Sequence, residues 1–344
     1  MKEKFLNYLT IFGFAAGILL LIFTLFLNYQ NFALKNSIDN ITSRQSFEKA
    51  MNFVKEKKPT PPEAAIFYAE VAKDIFAENQ VFTDENSLEK YFQEKLNNIL
   101  EKEKLLPKVV IKKGNEKNEF WIGENPLSIN IGSYEKYFLD NDFTYKVPPP
   151  PKYKSLEYNE ALKVVKYASD NRTLGHNAII NFFGGVPGTE TPSGIWQNLL
   201  WNVVLDDFQN LSNLKIKDIE SKDNNKKYAY VQMILAESLA DSFIKCWETK
   251  VIYQSKRPDM VDKTIKTAMP NPKFSSYVSG HSTISATAAV VLGRFFPSKL
   301  DSFVEDAENA KNSRLWAGIH FPFDNDEGYK LGEEIGKYIV EKVK

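Results

Sequence analysis

Three strings, KVIYQSKRP at residues 250–258, SGH at 279–281 and SRLWAGIHFPFD at 313–324, decide how the rest of the chain is read. They hold Lys250, Arg257 and Arg314, two of only three histidines in 344 residues, and Gly280, whose backbone can approach a ligand closely. Cations, imidazoles and a close-approach glycine together suit a tetrahedral oxyanion.

Lys250 and Arg257 stand seven residues apart, two helical turns, so both project on one side if a helix continues that far. Pro258 disfavours helical backbone at Arg257, which is expected to turn off the helix end toward whatever Lys250 reaches. Ser279-Gly280-His281 leads into a small-residue helix over 282–296, so the Ser279 hydroxyl, the Gly280 amide and the positive helix end can face one anion. His281 at that mouth is placed as a general acid. A helix over 303–317 delivers Arg314, after which Gly318 and Pro322 leave His320 on a loop. Asp324 has two readings that one residue can combine: N-cap of the terminal helix with Glu327 at capping-box spacing, or a carboxylate orienting His320 so that its other nitrogen is a nucleophile or ligand. Taken singly, each island has a plain alternative: a solvated Lys/Arg face, an N-cap serine beside a surface histidine, a cap alone.

Upstream, residues 8–27 form a twenty-residue uncharged, mostly apolar run, long enough as a helix to span a bilayer core of roughly 30 Å. Lys2 and Lys4 precede it, so the expectation is a single-pass anchor over 1–34 with the bulk of the chain extracytoplasmic, periplasmic or at the cell surface. A cleaved signal peptide is the rival, but no small-x-small site follows the run. Residues 35–150 read as a helical part, with helices from Ser43, from Ala64 after Pro61-Pro62-Glu63, and over 87–103, then short strands or an irregular excursion over 108–131. Pro148 to Pro151 cannot be helix and connects to a motif-bearing core, 151–344. Helices are expected over 156–169, 196–208 and 227–254, with a glycine-rich break at 184–188.

Taken together, the islands read Lys-x6-Arg-Pro, Ser-Gly-His and Ser-Arg-x5-His-x3-Asp, and in order and spacing they resemble the signature of the type 2 phosphatidic acid phosphatase and vanadium-dependent haloperoxidase superfamily. Residues 61–76 and 188–196 also look like stretches of its soluble bacterial haloperoxidase-like members. The resemblance implies a mainly α helical bundle of the haloperoxidase/acid phosphatase type. It further implies that Lys250, Arg257 and Arg314, with Ser279 and the Gly280 amide, hold the oxygens of phosphate or vanadate. His320 would be the axial partner, either ligating the vanadium of vanadate or attacking phosphorus to form a phosphohistidine, with His281 as acid-base residue and Asp324 orienting His320. Vanadate would be the cofactor of a haloperoxidase, which oxidises halide with hydrogen peroxide. A phosphatase would need no cofactor and act on a phosphate ester. Trp247 and Phe274 fall where chloride-oxidising members are expected to carry pocket aromatics, which leans the reading toward the haloperoxidase. Val278 departs from the proline usual before Ser-Gly-His.

Other chemistries find little support. Lys plus Arg equals Asp plus Glu at 44 each, and no basic groove is interleaved with aromatics, so no nucleic-acid partner is expected. No zinc-ligand spacing, glycine-rich phosphate loop or Gly-x-Ser-x-Gly elbow occurs. Cys246 reads as a buried structural thiol and His176 as a hydrogen-bonded structural histidine.

Overall fold

The structure is a computed structural model that describes residues 42–77, 85–185, 188–206 and 223–343, together with 211, 214–216 and 219. Its framework is a pair of buried helices that carry the site. One, α7 (Asn224–Tyr253), is the thirty-residue helix expected near 227–254. Val231, Leu235 and Leu239 are fully buried on its apolar stripe. The other, α9 (Gly280–Phe295), is buried along most of its length because its side chains are small.

Around them, α2 (Pro61–Phe76) packs along α7, and α10 (Leu300–Trp316) and α11 (Pro322–Lys342) pack against α9. Glycines set the depth of the α9–α11 contact. Gly328, Gly332 and Gly336 form one stripe four residues apart, and a Cβ at Gly332 would lie 2.0 Å from the Thr283 carbonyl. The touching backbones are tied by Thr287 Oγ1, which donates to the Gly332 carbonyl at 2.9 Å and pairs with Ser242 of α7 at 2.8 Å. The remaining helices are α1 (Thr42–Lys57), α3 (Glu85–Leu105), α4 (Leu156–Asp170), α5 (Leu174–Phe182), α6 (Pro192–Asp206) and the single turn α8 (Pro258–Val261). From Ser46 to Lys344 they make one compact unit.

Helix starts follow local chemistry. Pro61-Pro62 opens α2, and the Glu63 carboxylate accepts from the Thr60 amide at 2.8 Å. Pro192 likewise opens α6, four residues before the expected start. Helix α5, which apolar spacing did not announce, is held by Thr173, whose hydroxyl accepts from the His176 amide at 3.1 Å.

Of the two readings of 108–131 the irregular excursion holds, and the cap reading of Asp324 is corrected. Among the described residues the excursion over 108–131 forms no strand, only an isolated antiparallel bridge between Phe120 and Ser255. The Gln254 side chain takes the place of a partner strand: its Oε1 accepts from the Lys112 amide at 2.8 Å and its Nε2 donates to the Val110 carbonyl at 2.9 Å. Asp324 is not an N-cap. Pro322 starts α11 with Phe321 as its cap, so Asp324 sits in the first turn and accepts from the Phe321 amide at 3.0 Å, which leaves Glu327 no capping-box part. The expected membrane anchor at 8–27 lies outside the described residues. Within them no helix is long and apolar enough to cross a membrane.

Candidate active site

Helix α7 ends at Tyr253 because Gln254 adopts a left-handed conformation, φ 47°. Arg257 therefore does not continue the helical face of Lys250. It stands in extended backbone before Pro258, φ −85° and ψ 158°, as a residue preceding proline must. Both side chains nonetheless enter one buried cluster. Lys250 Nζ donates to the carbonyls of Ser275 at 2.9 Å and Ser276 at 2.8 Å. Arg257 Nε donates to the Phe274 carbonyl at 3.1 Å, and Nη1 donates to the Ile319 carbonyl at 2.8 Å and to His320 Nε2 at 3.2 Å. Its Nη2 is buried without a partner among the described residues.

Arg314, from the last turn of α10, gives Nε to Ser313 Oγ at 2.8 Å and Nη2 to the Ile180 carbonyl at 3.3 Å. Its Nη1 points to the Gly184 carbonyl at 3.4 Å. All three cations are at most 1% exposed, and among the described residues their hydrogen bonds run to carbonyls, a hydroxyl, a thioether and an imidazole, with no carboxylate among them. Burial pushes Lys250 down to about 8 and lowers both arginines, whose guanidinium groups still stay charged. Three positive charges face one buried carboxylate, Asp324, so the cluster is short of negative charge where burial makes that costly.

His320 lies on the α10–α11 loop, which Gly318 turns with φ 74°. Its Nδ1 lies 3.0 Å from Asp324 Oδ2. A guanidinium has only hydrogens to offer, so the Arg257 contact makes Nε2 the acceptor and places the ring proton on Nδ1, directed at Asp324. Burial, then Arg257 and Lys250, hold His320 well below the usual histidine range, so the ring is neutral. Asp324 Oδ2 also accepts from the Ser276 hydroxyl, while Oδ1 is buried without a partner among the described residues. Burial raises this carboxyl to about 6, opposed chiefly by the Ser276 hydrogen bond.

Ser279 caps α9, its hydroxyl accepting from the Ser282 amide at 3.4 Å, and its own amide donates to the Asp324 carbonyl at 2.9 Å. That bond seats the first turn of α11 against the mouth of α9, where Gly280 opens the helix. His281 Nε2 lies 2.8 Å from the Phe183 carbonyl, which requires the hydrogen on Nε2 and leaves the lone pair on Nδ1. Burial, then Arg314, lower its basicity strongly. Trp247 and Phe274 pack at 4.8 Å, and the Lys250 ammonium lies 5.7 Å and 5.3 Å from their rings. Arg257 lies 5.1 Å over Phe274, so these aromatics form a wall beside the cations.

His176 takes no part: it stacks on Trp316 at 4.2 Å and accepts from the Thr173 amide. Ser276 is the residue that sequence reasoning missed. Its carbonyl holds Lys250 and its hydroxyl holds Asp324, but a serine four positions before Gly280 fits no motif.

The VCPO second helical-bundle domain family matches residues 296–344, which carry α10, α11 and the Arg314–His320–Asp324 run. A bacterial vanadium-dependent iodoperoxidase shares the fold with TM-score 0.67 at 17% identity, covering 88% of this chain and 96% of that one. A holo-type bacterial vanadium-dependent chloroperoxidase does so with TM-score 0.56 at 12% identity, covering 82% and 81%. No curated protein matches by sequence. Residues 296–344 thus match the haloperoxidase helical-bundle family by sequence, and the chain shares the fold of bacterial vanadium-dependent haloperoxidases.

Within this fold, the donor set suits a tetrahedral oxyanion such as vanadate or phosphate. Among the described residues the buried Nη2 of Arg257 lacks an acceptor and the cations lack carboxylate partners, and His320 Nε2 carries a lone pair. A polyanion answers the first two needs, and an atom at its centre answers the third.

Proposed function

We propose that the chain is an oxyanion-site enzyme, and that its reaction is vanadate-dependent oxidation of halide by hydrogen peroxide. The observation that carries the proposal is the set of three buried, carboxylate-free cations around an imidazole whose Nδ1 hydrogen is directed at Asp324. Lys250, Arg257 and Arg314 would hold oxygens of vanadate, with the Ser279 hydroxyl and the Gly280 amide at the positive end of α9, and His320 Nε2 would ligate the metal. Bound vanadate supplies the Lewis-acid centre at which peroxide is activated. Asp324 keeps the His320 proton on Nδ1 so that Nε2 stays a donor of electrons. His281 moves a proton at Nδ1, the nitrogen that Phe183 leaves free. The Trp247–Phe274 wall leans the reading toward the haloperoxidase, since it sets apolar surface beside Lys250 and Arg257, where low dielectric strengthens their pull on a halide.

A second reading has its own observation. The carboxylate–imidazole pair with a lone pair on the outer nitrogen is also how a nucleophilic histidine is prepared, so phosphate-ester hydrolysis through a phosphohistidine at His320 is the alternative.

Assays of the purified full chain separate the two. Iodide and bromide oxidation that needs both vanadate and peroxide, and is lost in His320→Ala, is the expected result. Hydrolysis of p-nitrophenyl phosphate without vanadate, blocked when vanadate is added, would transfer the assignment to the phosphatase. Absence of both activities, with vanadate failing to bind, would overturn the oxyanion enzyme altogether.

A further inference from the structure

Next to the oxyanion site, and not lined by any of its residues, is a cavity of about 410 Å³, a size suited to one small molecule. It shares backbone with the site. Lys256 and Phe321 line it, and they are the chain neighbours of Arg257 and His320. One wall is aromatic and already packed: Tyr158 lies 5.0 Å from Phe321, and Phe321 stacks on Phe323 at 4.8 Å with their planes 10° apart. Such a wall presents flat apolar faces at fixed positions, which favours a planar ring over a flexible chain.

The polar groups are of one kind. Lys112, Lys152 and Lys256 line the cavity against a single carboxylate, Glu119. Lys256 is 1% exposed, and its ammonium meets only neutral groups: the Asn118 carbonyl, the Tyr153 hydroxyl at 3.3 Å and the Tyr153 ring at 4.8 Å. Lys112 donates to the Ile252 carbonyl at 3.2 Å. Among the described residues, none of the three lysines lies within ion-pair distance of a carboxylate. A buried ammonium without a counter-ion is costly, and a cavity that it lines can relieve that cost with an anion.

We propose that this cavity binds a small aromatic anion, its ring against Tyr158, Phe321 and Phe323 and its acidic group on Lys256. A neutral ring would leave the ammonium uncompensated, and an aromatic cation would meet three lysines. The site does not depend on which oxyanion chemistry operates next to it.

Calorimetric titration of the full chain with 2-naphthoate, with and without orthovanadate, tests the proposal. One saturable site is expected, unaffected by orthovanadate. Binding of the neutral 2-naphthamide should be about tenfold weaker, as should naphthoate binding to Lys256→Met, the loss expected when one charge-assisted hydrogen bond goes. Equal binding of acid and amide, displacement of naphthoate by orthovanadate, or no saturation at millimolar concentrations would each overturn it. The acid–amide comparison needs no variant, so a Lys256→Met chain that fails to fold does not remove the test.

Discussion

Arg257 and His320 meet through Nη1 and Nε2 at 3.2 Å, and this contact dictates which ring nitrogen carries the hydrogen. With the guanidinium donating to Nε2, the imidazole hydrogen belongs on Nδ1, against Asp324. An oxyanion entering the cluster would draw Arg257 toward its own oxygens and uncover Nε2. In the proposed reaction Arg257 would thus guard the lone pair on Nε2, while Asp324 would keep it there.

Asp324→Asn should therefore cost more than its isosteric shape suggests. An amide cannot supply the negative charge that holds the Nδ1 hydrogen, and its NH2 group, turned toward Nδ1, would select the opposite tautomer. Activity is expected to fall about 10²- to 10⁴-fold, as for other oriented catalytic histidines. Nitrogen-15 spectra of the imidazole should show Nε2 as the unprotonated nitrogen in the parent chain. Full activity in the variant together with an unchanged spectrum would remove Asp324 from this role.

Ser276 acts one step further out, and pH is the variable that exposes it. Its hydroxyl lowers the Asp324 carboxyl, which burial has raised to about 6. A raised carboxyl loses its charge as pH falls through that value, so activity should decline on the acid side near pH 6. Ser276→Ala removes a hydrogen bond to a charged acceptor and should move this acid limb upward by about one pH unit, with Ser276→Thr restoring it. A merely structural serine would lower the plateau without moving the limb, and a limb that stays in place would rule out the connection.

The helices that carry the site were legible because their apolar stripes and starting residues agree: α7 on Val231, Leu235 and Leu239, and α2 on its prolines and Glu63. The site's membership was legible through spacing, because Lys250, Arg257, Ser279, Arg314, His320 and Asp324 sit in strings with fixed internal distances. What stayed hidden was made by pairings distant in sequence. Gln254 replacing a partner strand for residues 110–112, Phe183 fixing the His281 tautomer and Ser276 reaching Asp324 leave no periodic trace. Asp324 was misread as a cap because Pro322, which also breaks the preceding backbone, is itself the first residue of α11.

Lys250→Met separates binding from folding. The ammonium is buried, hydrogen-bonded only to two carbonyls and held down to about 8 by burial, so at neutral pH the fold bears its desolvation without a counter-charge. Methionine keeps the stem volume and removes the charge. Thermal melts in anion-free buffer should show the variant at least as stable as the parent, while the rise in melting temperature produced by orthovanadate or phosphate should be lost. A variant that melts much earlier without anion would make Lys250 a structural residue.

Sulfate gives the same residue a pH signature, since it remains a dianion between pH 6 and 10 and the ligand contributes no titration of its own. His281 and His320 are held well below the usual histidine range and stay neutral across that interval, and Asp324, at about 6, is ionised above pH 7, which leaves the Lys250 ammonium as the group to follow between pH 7 and 10. Its folded value of about 8 lies below the unfolded value of about 10.4, so between those values the folded chain binds fewer protons than the unfolded one. Anion-free stability should therefore rise with pH across that window, and the contribution falls away as pH drops through about 8. Sulfate binds the ammonium form, so its stabilising increment must run the other way, full below pH 7 and declining above about 8. Opposed slopes in the parent chain, both flattened in Lys250→Met, are expected from melts at several pH values with and without sulfate. A sulfate increment that holds constant from pH 7 to 10 would mean that Lys250 does not reach the anion.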